Sequence, residues 1–455
     1  MTLKVSISGV RGIVGKSLTN KVVLGFSKAF AIYTRNGKIA IGNDGRPSCD
    51  ILKTTVISEL NKNGCKVIDS GICPTPTLQL SVKDLSCDGG IIITASHNPI
   101  EWNGLKFVSS KGIFLNEDEA KQLIRLYEDT KNDNSQETQN IDVLSYKKDD
   151  EALTRHIQKV LSKIPSEKIK EKQFKVAIDC CNGGGSKIVQ KLLKELGCEI
   201  IAINTEPKKS PNRGLEPIPQ NLWQLEKLVK EFNADIGFAL DPDADRLSIV
   251  SDKGKAIGEE YSLSLATFYI LSNYPKKAGA KIVTNLSTSK ITEDIAKQFG
   301  ADVIRTKVGE INVSEKIKET GAILGGEGNG GVIWPEIGLG RDSISGIGII
   351  LSLLAQRNQK VSDIIDLFPK YTMVKDKILL PSEVDVRQII EKISHKYKNG
   401  NMNTLDGIKI DFDDSWIHIR PSNTEPIIRI IAEAKDEEKA HLLINESKKI
   451  VGELI

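Results

Sequence analysis

Apolar residues in this chain fall in short continuous runs, separated by stretches where they recur at helical spacing, and that rhythm is repeated three times. Each copy opens with a strand-like run: Lys38–Asp44 (KIAIGND), Phe174–Cys180 (FKVAIDC) and Lys281–Thr288 (KIVTNLST). An amphipathic stretch follows and ends on Gly64, Gly197 or Gly300, each placed as a helix C-terminal signal. A second apolar run comes at once (CKVIDSG, CEIIAIN, ADVIRTKVG), and after a connection a third (GGIIIT, ADIGFAL, GAILGGE). Strand–helix–strand alternation predicts parallel strands, so the pattern reads as three related α/β domains.

From Tyr371 the rhythm changes. Runs GIKIDF, SWIHIR and IIRIIAEA precede a helix from Glu437, which predicts a smaller α+β domain. Residues 131–150 are polar with few apolar positions and read as a linker or exposed loop. The expected domains are 1–148, 149–253, 254–369 and 370–455.

A chain of 455 residues is too long for one core, which agrees with several domains. A net charge of +3 gives no reason to expect a nucleic-acid or membrane surface. Apolar stretches such as Ile347–Ala355 are too short to span a bilayer, and residues 1–5 read as a first strand, not a signal peptide. Seven cysteines without a C-x-x-C pair fit reduced thiols in a cytoplasmic protein and argue against a disulfide frame or zinc site. Cys180 and Cys181 read as core packing at a strand end.

Each third strand runs into a polar motif, and ligands of open α/β sheets gather beyond the carboxyl ends of strands. The first motif is TASHNP, Thr94–Pro99. A serine at a strand end, here Ser96, is a candidate covalent nucleophile, although the G-x-S-x-G elbow is absent. Alone, such a turn would read as a cap. Asn103, Gly104 and Lys106 follow within ten residues, and a lysine there could neutralise phosphate or move a proton. The second motif is DPDADR. Asp241, Asp243 and Asp245 alternate after an apolar strand, and their repulsion is resolved by an oxygen-preferring cation such as Mg²⁺. Arg246 stands where an EF-hand loop needs glycine, and a strand precedes the motif. A strand ending in D-x-D also fits a phosphatase that uses Asp241 as nucleophile.

The third motif, GEGNGG, formally fits G-x-G-x-x-G. Val332, Ile333, Trp334 and Pro335 follow it instead of the helix a dinucleotide site requires, so it reads as a tight loop with Glu327 as its charged acceptor. CNGGGSK (Cys181–Lys187) lacks P-loop spacing and reads as a helix entry. In the last domain, RPSNTEP provides Arg420, Ser422, Asn423 and Thr424, with Arg429 close behind, a set suited to a phosphate monoester. Arg11 in SGVRG and Arg46 in GNDGRPS are further candidate phosphate contacts.

SGVRG, TASHNP with NGLK, DPDADR, GEGNGG and RPSNTEP occur in the order found in the α-D-phosphohexomutases, and the chain resembles that superfamily over its whole length. The resemblance implies three related α/β domains with mixed sheets and a smaller C-terminal α+β domain around a central cleft. It implies that Ser96 is a phosphoserine and that Asp241, Asp243 and Asp245 bind one Mg²⁺ with its oxygen. Arg11, His97, Lys106 and Arg246 would surround the transferring phosphoryl group, with His97 and Lys106 as candidate general bases. Lys307, Glu327 and Asn329 would meet the sugar, and Arg420, Ser422, Asn423, Thr424 and Arg429 the distal phosphate. The implied partner is a small-molecule sugar phosphate, with hexose 1,6-bisphosphate as activator and a monomer or homodimer as the assembly. Many bacterial relatives write the sugar loop G-E-x-S-G-H, whereas Asn329-Gly330-Gly331 stands here without the histidine. The chain looks most like phosphoglucosamine mutases, an isomerase reading of glucosamine 6-phosphate to 1-phosphate. Phosphomannomutase/phosphoglucomutase activity is the alternative, followed by the aspartate-nucleophile phosphatase; a catalytically silent sugar-phosphate sensor is a third class.

Overall fold

The computed structural model describes residues 3–131, 145–274, 278–380, 386–397, 400–422 and 427–453. Three of its four sheets share one plan. The first apolar run of each copy forms the middle strand: Lys38–Asn43, Lys175–Asp179 and Lys281–Asn285. The second and third runs lie parallel on either side of it: Lys66–Ile72 with Gly89–Ile93, Glu199–Ile203 with Ile236–Leu240, and Asp302–Thr306 with Leu324–Glu327. The helices between first and second runs (Cys49–Lys62, Gly185–Glu195, Lys290–Gln298) end as the sequence predicts. Gly64, Gly197 and Gly300 follow their C-caps at φ +77, +68 and +67°, where a residue with Cβ would be strained.

The structure adds a fourth strand to each copy. Trp102–Ser109, Leu247–Val250 and Gly331–Ile333 run antiparallel to the third strands. Each polar motif is therefore the tip of a hairpin, and the three tips hold equivalent places in their sheets. The first sheet has seven strands, with Lys4–Ser6 and Gly9–Ile13 beyond Trp102–Ser109 on one edge. On its other edge Lys147–Lys148 pairs with Ile68 and Asp69. The end of the expected linker is thus an edge strand whose exposed lysines discourage further pairing, while 132–144 lies outside the described residues. The C-terminal domain is a five-stranded antiparallel sheet with helices Val386–Lys396 and Glu437–Gly452. The fold is thus three related α/β domains and a smaller α+β domain.

The cores are not divided domain by domain. The second and third sheets share one continuous apolar cluster that runs from Ile157 to Phe368 and takes in Leu80 of the first domain. Helix Ser343–Arg357 explains this. It is apolar on nearly every side and buries 13 of its 15 residues, so it has no solvent face to turn outward. It packs on helices Ala152–Leu161 and Ser166–Lys172 as well as on Glu260–Asn273. Gly348 permits that approach, since a Cβ there would lie 2.9 Å from Val160 Cγ1. The C-terminal domain keeps a core of its own around Ile389, Ile417 and Ile430. Among the described residues no helix is long and apolar enough to cross a membrane.

Ile347 is fully buried in the shared cluster. Ile347→Ala is expected to cost about 2–5 kcal/mol. Hydrogen-exchange mass spectrometry should show protection falling together in the second and third sheets and unchanged in the C-terminal sheet. Loss confined to the third sheet would mean that the two cores are separate.

Candidate active site

Ser96 sits on the tip of the first hairpin, buried, at φ +52°. A serine holds that left-handed conformation only where its surroundings impose it. Here the Ser96 amide donates to Thr94 Oγ1 (2.8 Å), and the Thr94 hydroxyl donates to Asp44 Oδ2 (2.6 Å). Arg46 does the rest. Its Nε donates to Asp44 Oδ2 (3.1 Å), Nη1 to the carbonyls of Pro99 (2.8 Å) and Trp102 (3.1 Å), and Nη2 to those of Asn98 (2.9 Å) and Ser96. All five guanidinium N–H groups are spent. The reading of Arg46 as a phosphate contact is therefore corrected: it is the scaffold of the serine loop.

The second hairpin brings its three aspartates against that loop. The Ser96 hydroxyl donates to Asp241 Oδ2 at 3.2 Å, while Asp241 Oδ1 accepts from the amides of Asp245 and Arg246, both at 3.1 Å. Asp243 Oδ2 accepts from Lys106 Nζ (2.6 Å) and the Thr75 hydroxyl (2.7 Å). Asp245 Oδ2 accepts from Arg341 Nη2 at 2.5 Å. The partner oxygens, Asp243 Oδ1 and Asp245 Oδ1, are buried with no hydrogen-bond partner. Ligand atoms of the three carboxylates lie within 4.8 Å of one another. Each group is thus pinned, and two of the three still offer an unused buried oxygen, which fits a hard divalent cation. Burial, then Asp245 and Asp243, push the Asp241 carboxyl well above its usual range. Burial acts the same way on Asp243, but Lys106 and Thr75 outweigh it and hold that carboxyl low.

Four more of the expected residues gather here. Arg11, on strand Gly9–Ile13, donates to Asn98 Oδ1 at 3.2 Å. Lys106 also lies 3.7 Å from Asp245. Arg246 donates to Glu216 Oε1 at 2.5 Å. His97 Nδ1 is 3.4 Å from Ser96 Oγ. The cation of Arg246, then burial and Arg11, hold the His97 imidazole well below its usual pKa, so it is neutral at pH 7.

The third hairpin is tied to the second. Gly330 accepts from the Leu247 amide at 3.0 Å, and a Cβ at Gly330 would lie 2.4 Å from Leu247 O. Glu327 is saturated. Its Oε1 accepts from Asn285 Nδ2 (2.7 Å) and the Gly309 amide (2.9 Å), and its Oε2 from Arg341 Nη1 (2.6 Å) and Asn329 Nδ2 (3.4 Å). Burial opposes its ionisation, yet Arg341 and Asn285 hold its pKa below the usual value. Arg341 also donates from Nε to Glu310 Oε2 at 3.1 Å. It is the site residue that sequence reasoning missed. Its only signal is an arginine before the aspartate that caps helix Ser343–Arg357. The histidine absent at position 331 is also explained, because a Cβ on Gly331 would lie 2.2 Å from Arg341 Cδ. Lys307, by contrast, has an exposed side chain.

In the C-terminal domain, Arg420 and Arg429 stand directly opposite across paired strands. Like charges so placed repel unless an anion joins them. Arg420 is buried and donates from Nε to Asp406 Oδ2 (3.1 Å), which also accepts from the Val308 amide (3.0 Å); Arg429 is exposed. The Ser422 amide closes the hairpin on Ile427 O at 2.9 Å, while Asn423 and Thr424 lie outside the described residues. His418 joins this domain to the third. Its Nε2 donates to Asp406 O (2.7 Å), so Nδ1 accepts from the Ser287 hydroxyl (2.9 Å).

Models of the phosphoglucomutase/phosphomannomutase domains match the chain in order: alpha/beta/alpha domain I at residues 3–134, domain II at 154–254, domain III at 259–371 and the C-terminal domain at 374–449. A phosphoglucosamine/phosphogalactosamine mutase of Sulfurisphaera tokodaii is 38% identical over 97% of this chain and 98% of its own. A phosphoglucomutase/phosphomannomutase of Thermococcus kodakarensis is 36% identical over 98% of each. Among solved structures, a phosphoglucomutase/phosphomannomutase family protein of Burkholderia thailandensis superposes with a TM-score of 0.83 at 25% identity, covering 98% of this chain and 97% of that one.

Burial lowers the pKa of His418 to about 4. Between its ordinary value near 6.5 and about 4, the unfolded chain binds a proton that the folded chain does not. Stability should therefore fall as pH drops through that window. Thermal denaturation between pH 7 and 5 should show a shallower pH dependence in His418→Gln. Equal slopes would mean that another group carries the effect.

Proposed function

This chain belongs to the phosphoglucomutase/phosphomannomutase family and is a phosphohexomutase, and from that premise we propose that it interconverts glucosamine 6-phosphate and glucosamine 1-phosphate through a phosphoryl group carried on Ser96. The observation that carries this reading is the Ser96 hydroxyl 3.2 Å from Asp241, beside two carboxylates with unused buried oxygens. Magnesium held by Asp241, Asp243, Asp245 and the Ser96 oxygen would offset negative charge on the phosphoryl group. Arg11, Lys106 and Arg246 supply fixed positive charge on the same side, placed before any reaction begins. During transfer a sugar hydroxyl oxygen bonds to phosphorus, the bond from phosphorus to Ser96 Oγ breaks, and the hydroxyl proton leaves to a base. His97, whose Nδ1 lies 3.4 Å from Ser96 Oγ, and Lys106, bound to Asp243, are the candidates to accept that proton; the cations around His97 oppose its charging. The product of this half-reaction is a hexose 1,6-bisphosphate. Returning its other phosphate to Ser96 completes the isomerisation, and the same bisphosphate would activate unphosphorylated enzyme.

We assign the sugar to Lys307, Glu327 and Asn329, and the distal phosphate to Arg420, Ser422, Asn423, Thr424 and Arg429. The domain limits 1–148, 149–253, 254–369 and 370–455 remain our assignment. Glucosamine is favoured by the name of the Sulfurisphaera relative. The name of the Thermococcus relative supports the second reading, glucose or mannose phosphates. A phosphatase with Asp241 as nucleophile is not favoured, because the matched relatives are mutases by name. We place the enzyme in the cytoplasm, in keeping with its unbridged cysteines.

A coupled assay of glucosamine, glucose and mannose 6-phosphates, primed with hexose 1,6-bisphosphate, should give the highest kcat/KM for glucosamine. Ser96→Ala should lose at least about a thousandfold in turnover, since a positioned nucleophile is removed. Stripping the metal with a chelator should abolish activity and Mg²⁺ should restore it. Near-normal turnover in Ser96→Ala would sink the phosphoserine route, and a preference for mannose or glucose only the substrate assignment.

A further inference from the structure

Arg341 stands in a position that structural packing alone does not explain. It is buried, it stands two residues before helix Ser343–Arg357, and its shaft crosses Gly331. Its three nitrogens face three different carboxylates: Nε meets Glu310 at 3.1 Å, Nη1 meets Glu327 at 2.6 Å and Nη2 meets Asp245 at 2.5 Å. Glu327 belongs to the third hairpin and Asp245 to the second. One planar group therefore sets the relative placement of two loops from different domains. A guanidinium can do this because its N–H directions are rigid; an ammonium is a point charge and cannot.

The contact with Asp245 is selective. Arg341 takes Oδ2 and leaves Oδ1 buried without a hydrogen bond, with Arg246 Nε 3.9 Å away. It takes Oε2 of Glu327 while Asn285 and Gly309 hold Oε1. The side of Asp245 turned away from the arginine is thus the side that remains to bind a cation. Glycine at 331 is what lets the arm pass, since any Cβ would be 2.2 Å from Cδ.

We propose that Arg341 is a positioning residue for the phosphoryl-transfer reaction, holding Asp245 of the metal loop and Glu327 of the sugar loop in one register so that cation and sugar are presented to each other. The inference rests on the roles proposed above for those two loops. Two sites that share a rigid connector are coupled, and a change that breaks the connector weakens both.

The test uses the full-length enzyme, with Mn²⁺ as a spectroscopic stand-in for the cation. Arg341→Lys keeps the charge but not the fork. It is expected to raise the Mn²⁺ dissociation constant, measured by electron paramagnetic resonance without sugar, about tenfold. KM for glucosamine 6-phosphate, or for whichever hexose phosphate the wild type turns over best, should rise by a similar factor. Combined with Glu327→Gln, the effects on KM should be less than additive. A lower melting temperature with unchanged Mn²⁺ affinity and KM would show a merely structural role and overturn the proposal. If Arg341→Lys does not fold, Gly331→Ala tests the same point, because its methyl displaces the arginine while keeping every charge. It should shift both constants in the same direction, and unchanged constants there would overturn the proposal as well. The Mn²⁺ measurement needs no substrate, so a failure of the glucosamine assignment is distinguishable from a failure of this one.

Discussion

Three aspartate carboxylates stand within 4.8 Å of one another, buried, and the site is organised around keeping them there. At about 5 Å and an effective dielectric near 20, each pair that is ionised costs roughly 3 kcal/mol, a repulsion that adds to burial in pushing the Asp241 carboxyl well above its usual range. No single domain offsets that. The second domain supplies its own backbone amides, to Asp241, and the Arg246 guanidinium, whose Nε lies 3.9 Å from Asp245. Lys106 and Thr75 come from the first domain to Asp243, and Arg341 comes from the third to Asp245. The cluster is therefore tolerable only in the assembled molecule, and in it two oxygens still lack partners. That residual deficit is what a cation would satisfy.

The repeated hairpin makes the assembly possible. A third strand that turned into a helix would aim its loop along one sheet. Turning back on itself, it projects a short tip beyond the sheet edge, toward the tips of the neighbours. The tips then carry different chemistry on one frame: a hydroxyl in a strained turn, a set of acids, and a glycine-rich loop close enough to touch Leu247 of the next domain. Arg46 shows how much of that chemistry is support. A residue with five donors spends all of them holding one serine loop in place.

The domains are joined in two ways. The second and third are fused by a common apolar core, which cannot open without exposing it to water. The C-terminal domain meets the third through polar contacts: Ser287 with His418, Val308 with Asp406, Lys290 with Glu433, and Lys375 with Glu259. Water can replace such contacts at small net cost. The part of the molecule holding Arg420 and Arg429 is thus attached by the interface that is easier to remake.

Much of this was legible in the chain. The strand runs, the glycines that close the helices and the change of rhythm at Tyr371 are local signals, because backbone period and the absence of a side chain at Gly64, Gly197 and Gly300 depend on near neighbours alone. Ser96 and the aspartate trio could be picked out because unusual chemistry was concentrated within a few residues of a strand end. Two of the fourth strands, Leu247–Val250 and Gly331–Ile333, are four and three residues long, too short for their period to declare itself. Arg46 was misread and Arg341 missed for one reason. An arginine's role is decided by which oxygens surround it, and those belong to Ser96, Asn98, Pro99 and Trp102 in one case and to Asp245, Glu310 and Glu327 in the other. Local sequence determined which groups could react and on which elements they ride. Only the tertiary structure decided which charges meet, because that depends on residues distant along the chain being packed to within a hydrogen bond.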